Sequence, residues 1–103
     1  MSRYRLTPKA TADLRSIWAY IAADNVEAAD RVEEAIYDTC AFLAKAPLRG
    51  HRRKDLTELP VRFWTVVRYP KYLIVYDPAD KPLKVIRVFQ GGRDVARELK
   101  NEP

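Results

Sequence analysis

The groups in this chain that could carry chemistry are unevenly supplied. Cations are plentiful: Arg52, Arg53, Lys54, Arg62, Arg87 and Arg93 could each steady an anion. Groups that move protons near neutral pH are scarce. His51 is the single histidine. Cutting RNA through its own 2′-hydroxyl needs a base, an acid for the leaving oxygen and cations for the phosphate charge. Only the cations are evident. Tyr69 and Tyr76 are substitutes, but a phenol with a pKa of about 10 is a poor base unless strongly perturbed. An imidazole on a basic loop is more often solvated than functional, so His51 reads as surface.

Other chemistry has less support. One Cys and one His do not make a metal site. Cys40 falls on an apolar helical stripe and reads as a buried thiol. Gly91-Gly92 follows a strand but lacks the further Gly and following helix of a dinucleotide site. We therefore expect no catalytic residue, no metal and no cofactor.

The elements that must position these groups follow from periodicity. Ser2 to Leu6 alternates weakly and reads as a short strand. Thr7-Pro8 is a helix start, a hydroxyl N-cap followed by Pro at the first helical position. Leu14, Ile17, Trp18 and Ile21 then form one stripe. Asp24, with Glu27 three residues on, caps a second helix. That helix carries Ala28 or Ala29, Val32, Ile36, Cys40 and Leu43 on its inner face and stops before Pro47. The short connection makes the two helices antiparallel neighbours. Pro47 to Pro60 has no periodicity and reads as an exposed basic loop, with a turn near Asp55 to Leu59. Val61 to Tyr69 reads as a strand. Tyr72 to Tyr76 and Leu83 to Phe89 flank the turn-rich Asp77-Pro78-Ala79-Asp80-Lys81-Pro82 and read as a hairpin. Val95 to Leu99 reads as a short helical tail.

The order β-α-α-β-β-β predicts an α+β, two-layer architecture: an antiparallel sheet packed against an N-terminal helical hairpin. Alternation divides each hairpin strand into two faces. The aliphatic set, Leu73 and Val75 with Ile86 and Val88, is expected to meet the helices. The other set, Tyr72, Ile74 and Tyr76 with Val85, Arg87 and Phe89, is expected on the uncovered face. Tyr, Phe and Arg there suit a partner; cover by the loop Pro47–Pro60 is the alternative. Trp18 reads as core whose edge could line a groove, and of Phe63 and Trp64 one should be less covered.

The totals set the class. A chain of 103 residues is expected to be one domain, residues 1–103. Apolar residues at 48% and charged residues at 32% suit a globular protein. The start of the chain lacks a signal-peptide apolar region, no run approaches a membrane span, and a single Cys fits a reducing compartment, so a cytoplasmic location is expected with no membrane contact. Residues 45–72 hold eight basic residues against two acidic ones, whereas residues 1–44 hold five against seven. A basic middle fits an anionic partner or a solvated basic loop.

Four ordered segments carry a family resemblance. They are Tyr4-Arg5-Leu6-Thr7-Pro8 with Ala12-Asp13-Leu14 and Ile17-Trp18-Ala19-Tyr20-Ile21; Leu43-Ala44-Lys45-Ala46-Pro47 with Gly50 and Arg52; Tyr69 to Tyr76; and Val85 to Asp94. Together they resemble the ParE branch of the RelE/ParE superfamily of type II toxin–antitoxin toxins. The resemblance implies a toxin that poisons DNA gyrase by binding, with a ParD-type antitoxin whose acidic segment wraps it in a hetero-oligomer. RelE-type relatives instead cut messenger RNA on the ribosome, which is the alternative reading. Those nucleases usually carry a Tyr or His after the last strand, and Arg93 to Pro103 has neither. Gln90-Gly91-Gly92 departs from the His-Gly-Ala common among relatives. The expected antitoxin contacts are Trp18, Ile21, Tyr72, Ile74, Tyr76, Arg87 and Phe89. The expected target contacts are Arg52, Arg53, Lys54, Arg93 and Asp94, with no direct nucleic-acid contact by the toxin itself.

Overall fold

A computed structural model describes residues 4–91 and 94–100. Its elements are β1 (Tyr4–Leu6), α1 (Pro8–Ala22), α2 (Val26–Lys45), a 3-10 turn (Pro47–Arg49), β2 (Arg62–Thr65), β3 (Tyr72–Asp77), β4 (Leu83–Gln90) and α3 (Val95–Lys100). The architecture is α+β. The sheet order is β1-β4-β3-β2, antiparallel except that β1 runs parallel to β4. The three consecutive strands β2, β3 and β4 form the expected antiparallel meander, and β1 adds a parallel edge to it. A parallel edge is available because α1 and α2 lie in the connection between β1 and the other strands.

The Thr7 hydroxyl accepts the Ala10 N–H at 3.1 Å, and Pro8 occupies the first turn of α1. Asn25, not Asp24, caps α2, its side-chain oxygen accepting the Ala28 N–H at 3.0 Å. Asn and Asp are equivalent caps, so the one-residue shift follows from where α1 unwinds. Glu27 in the first turn and Lys45 in the last complement the dipole of α2. Ala29, Val32, Ala35, Ile36, Cys40 and Leu43 form its buried stripe.

The sheet faces depart from simple alternation. Val75 pairs with Arg87, but Tyr76 pairs with Val85, so Ile86 is an extra residue in a β-bulge. A bulge shifts alternation by one residue. Leu83, Val85 and Val88 consequently join Tyr72, Ile74 and Tyr76 in the core beneath α1 and α2. The expectation that Tyr72, Ile74 and Tyr76 lie on an uncovered face is corrected. They are the buried floor of the helical layer, at 2%, 0% and 0% exposure. Large side chains gain most by burial, about 1.5–3 kcal/mol for a Phe or Ile, and the Tyr76 hydroxyl finds polar partners there.

The opposite face is also covered. Val61, Phe63, Val75, Phe89 and Leu99 form a second cluster, with Leu56, Leu59, Leu73, Ile86 and Val95 against it. Phe89 does face away from the helical hairpin, but the 56–61 loop and α3 cover it, and Arg87 is buried against Asp13 of α1 and Glu98 of α3. The alternative of loop cover therefore applies. β2 is shorter than expected: after Thr65 the chain turns, Val66 N–H donating to the Tyr72 carbonyl at 2.9 Å and Tyr69 N–H to the Val66 carbonyl at 3.0 Å.

Helix α1 also closes the edge of β4 beyond the reach of β1. The Thr7 N–H donates to the Val85 carbonyl at 3.0 Å and the Thr7 hydroxyl to the Ile86 carbonyl at 2.7 Å. The Asp13 carboxylate accepts the Val88 N–H at 2.9 Å. Side chains here do what a neighbouring strand would do. The same carboxylate takes a two-pronged ion pair from Arg87, at 2.8 and 2.9 Å. Glu98 of α3 meets the far side of that guanidinium at 3.4 Å.

Candidate interaction surface

Of the groups that could move protons, the Tyr76 phenol is committed to structure. It donates to the Pro47 carbonyl at 2.6 Å and accepts the Gly50 N–H at 2.8 Å. Burial pushes its pKa up, against smaller opposing effects of the Gly50 N–H and the Arg62 charge. His51 is exposed but not free in backbone: it exchanges two hydrogen bonds with Phe63, and its ring lies near-parallel to Trp64 with centroids 6.1 Å apart. Burial pushes the Cys40 thiol up to about 12, so it stays protonated and inert. Among the described residues no His, Cys, Asp and Glu cluster could hold a metal.

The expected antitoxin contacts separate into two groups. Tyr72, Ile74, Tyr76, Arg87 and Phe89 are buried. Trp18 and Ile21 are half-buried on α1. The Trp18 indole N–H donates to Asp30 at 2.8 Å and ties α1 to α2. Ile21 comes together with Tyr72: with Val32, Arg68, Tyr69, Pro70 and Lys71 they line a groove of about 430 Å³. Tyr72 thus contributes a patch of floor without being an exposed residue.

The expected target contacts are also divided. Arg52 and Lys54 are exposed and enter no ion pair among the described residues. Arg53 is spent on Asp55, by bonds of 2.9 and 2.7 Å, and that bonding holds the Asp55 carboxyl below its ordinary range. Asp94 caps α3, accepting the Arg97 N–H at 3.1 Å. Arg93 lies outside the described residues.

A second groove of about 200 Å³ was not anticipated. It lies between α2 and β2, lined by Ala35, Asp38, Thr39, Phe42, Trp64, Val66, Val67 and Arg68. Phe42 and Trp64 meet with ring centroids 5.8 Å apart, and the Arg49 guanidinium sits 3.8 Å over the Phe42 ring. Val67 is 74% exposed and Phe42 43%. The signal that could have found it is Phe42 itself, an aromatic displaced from the apolar stripe of its helix. Both grooves border Arg68.

Comparison with known proteins bears on what such a surface serves. The chain matches the model of the ParE toxin of the type II toxin–antitoxin system parDE over residues 4–95. The chain belongs to the ParE toxin family. Among solved structures it is similar to a chain of the chromosomal ParDE toxin–antitoxin system from P. aeruginosa, with 25% identity, a TM-score of 0.69, and cover of 88% of this chain and 97% of that one. No curated protein matches the chain. This ParE chain is accordingly a toxin of a type II toxin–antitoxin system, and an antitoxin is its natural partner. No helix among the described residues is long and apolar enough to cross a membrane.

Proposed function

We propose that this toxin arrests growth in the cytoplasm by binding DNA gyrase, without catalysing a reaction, and that a ParD-type antitoxin neutralises it by covering the helical hairpin. The observation that carries the binding reading is the state of Tyr76. The phenol best placed by sequence to replace a missing base is buried and bonded on both sides, to Pro47 and Gly50. The basic segment then serves as a docking surface. Arg52 and Lys54 supply charge for the target, with Asp94 at the start of the last helix and Arg93 next to it in sequence. Trp18, Ile21 and the exposed part of Tyr72 serve the antitoxin. The toxin itself makes no direct contact with nucleic acid in this reading.

Induction of the chain alone, with transcript integrity and DNA damage followed together, tests this. Growth arrest with DNA breakage and intact transcripts is expected, and co-expression of the antitoxin should abolish it. Arrest with cleaved transcripts and undamaged DNA would replace this reading with a ribosome-dependent ribonuclease.

A further inference from the structure

A cavity of about 510 Å³ opens at the margin of the second apolar cluster and shares no lining residue with either groove on α2. Leu59, Pro60 and Val61 line it from the loop before β2, Ile86 from β4, and Pro8 from the start of α1. Its size and apolar lining are those of a binding pocket. The walls are held in place. Ile86 is the extra residue of the bulge in β4, and a bulge re-aims a side chain. The Thr7 hydroxyl donates to the Ile86 carbonyl at 2.7 Å, and the Val61 N–H donates to the Leu59 carbonyl at 2.8 Å. Walls fixed before anything binds lower the ordering cost of association.

The rim is cationic. It carries Lys9, exposed on α1, and Lys84, half-buried on β4. Asp77 is the acid in the lining, and its carboxylate accepts the Ala79 N–H at 2.9 Å. The Lys84 ammonium stands 3.8 Å from Asp80, with both side chains about one-third exposed or more. Such a contact is worth little, so a better-placed carboxylate can take the ammonium over.

We propose that this cavity receives an apolar side chain of the toxin's protein target, with a carboxylate of the same segment on Lys84. The inference rests on the target reading above and gives it a second contact beside the basic loop. Leu59 and Pro60 also line the neighbouring hollow that contains Lys54, so the cavity continues the surface assigned to the target. The two lysines select an acidic segment. Leu59, Val61 and Ile86 belong to the cluster on the sheet face opposite the helical hairpin, which separates this cavity from the surface assigned to the antitoxin. One apolar anchor concentrates the binding energy, and one charge contact beside it fixes register.

The test is the affinity of the purified toxin for purified DNA gyrase, measured by surface plasmon resonance beside its affinity for the cognate antitoxin. Pro60→Glu sets a charge on the exposed apolar wall, Lys84→Gln removes the cation, and Lys84→Arg keeps it. Arg15→Glu, exposed on α1, is the charge control. Melting followed by circular dichroism checks that each variant is folded. Pro60→Glu should weaken gyrase binding about tenfold or more and Lys84→Gln about threefold. Lys84→Arg, Arg15→Glu and every antitoxin affinity should be unchanged. If the unaltered toxin binds gyrase and the folded Pro60→Glu and Lys84→Gln variants bind it equally well, the cavity assignment fails while the gyrase reading stands. If the unaltered toxin does not bind gyrase, both fail. Antitoxin binding lost in the same folded variants would give the cavity to the antitoxin, and a dimer of the free toxin that Pro60→Glu dissociates would give it to a second copy. Either result overturns the proposal.

Discussion

The Gly50 N–H donates to the Tyr76 hydroxyl at 2.8 Å, across 26 residues of sequence, and so fastens the start of the basic loop to the centre of the sheet. A side chain at Gly50 would run into the Tyr76 ring and the Phe63 carbonyl. Gly50→Ala is therefore expected to destabilise by about 1–3 kcal/mol, the usual effect of overpacking. Tyr76→Phe leaves the Gly50 N–H and the Pro47 carbonyl without their partner and should cost about 2 kcal/mol. Chemical denaturation measures both. Tyr76→Phe should leave toxicity intact at permissive temperature; loss of toxicity with unchanged stability would return the phenol to a chemical role.

Asp13→Asn removes the charge that holds Arg87, a residue only 7% exposed. Breaking one half of a buried pair typically costs about 3–5 kcal/mol. The contact of Glu98 with the same guanidinium places the expected loss at the lower end. Asp13→Asn with Glu98→Gln should exceed the sum of the single changes, because both act on one guanidinium. Strictly additive denaturation free energies would refute the shared network.

Alkaline pH should destabilise the fold. Cys40 has its pKa raised from 9.0 to about 12 by burial, so above pH 9 the folded chain holds a proton that the unfolded chain releases. Stability from this group is complete below pH 9 and lost between pH 9 and 12. Tyr76, raised above 10.0 chiefly by burial, acts in the same direction. Cys40→Ala should flatten the lower part of that decline. Native Cys40 should resist alkylation at pH 8 and react promptly once the chain is denatured.

Exchange of Arg52 and Lys54 together for Glu should abolish growth arrest. Both are exposed, so stability should change by no more than about 0.5 kcal/mol. Antitoxin affinity should be retained. Persistent arrest in this variant would remove the basic loop from target binding.

The helical layer was legible because its signals are local. Thr7-Pro8 announces α1, and the 3.6-residue stripe through Val32, Ile36, Cys40 and Leu43 announces the inner face of α2. The sheet faces were not, because one inserted residue at Ile86 shifts the alternation that a reader relies on. Nor could alternation reveal that Leu56, Leu59 and Leu99, distant in sequence, would cover the second face. Of the candidate surface, the sequence conveyed the exposure of Arg52 and Lys54 and the partial exposure of Ile21, but Arg87 looked like an interface residue because its partner Asp13 lies 74 positions away. The Phe42–Trp64 groove joins a helix to a strand and has no signature within either.

Every tie between the first and last parts of the sheet spans most of the chain. Among the described residues β1 pairs with no strand but β4, and Asp13 reaches Arg87 and Val88. During synthesis the N-terminal segment therefore waits for the last strand. A product truncated before Leu83 is expected not to close the sheet, since it lacks both the partner of β1 and the anchor of α1.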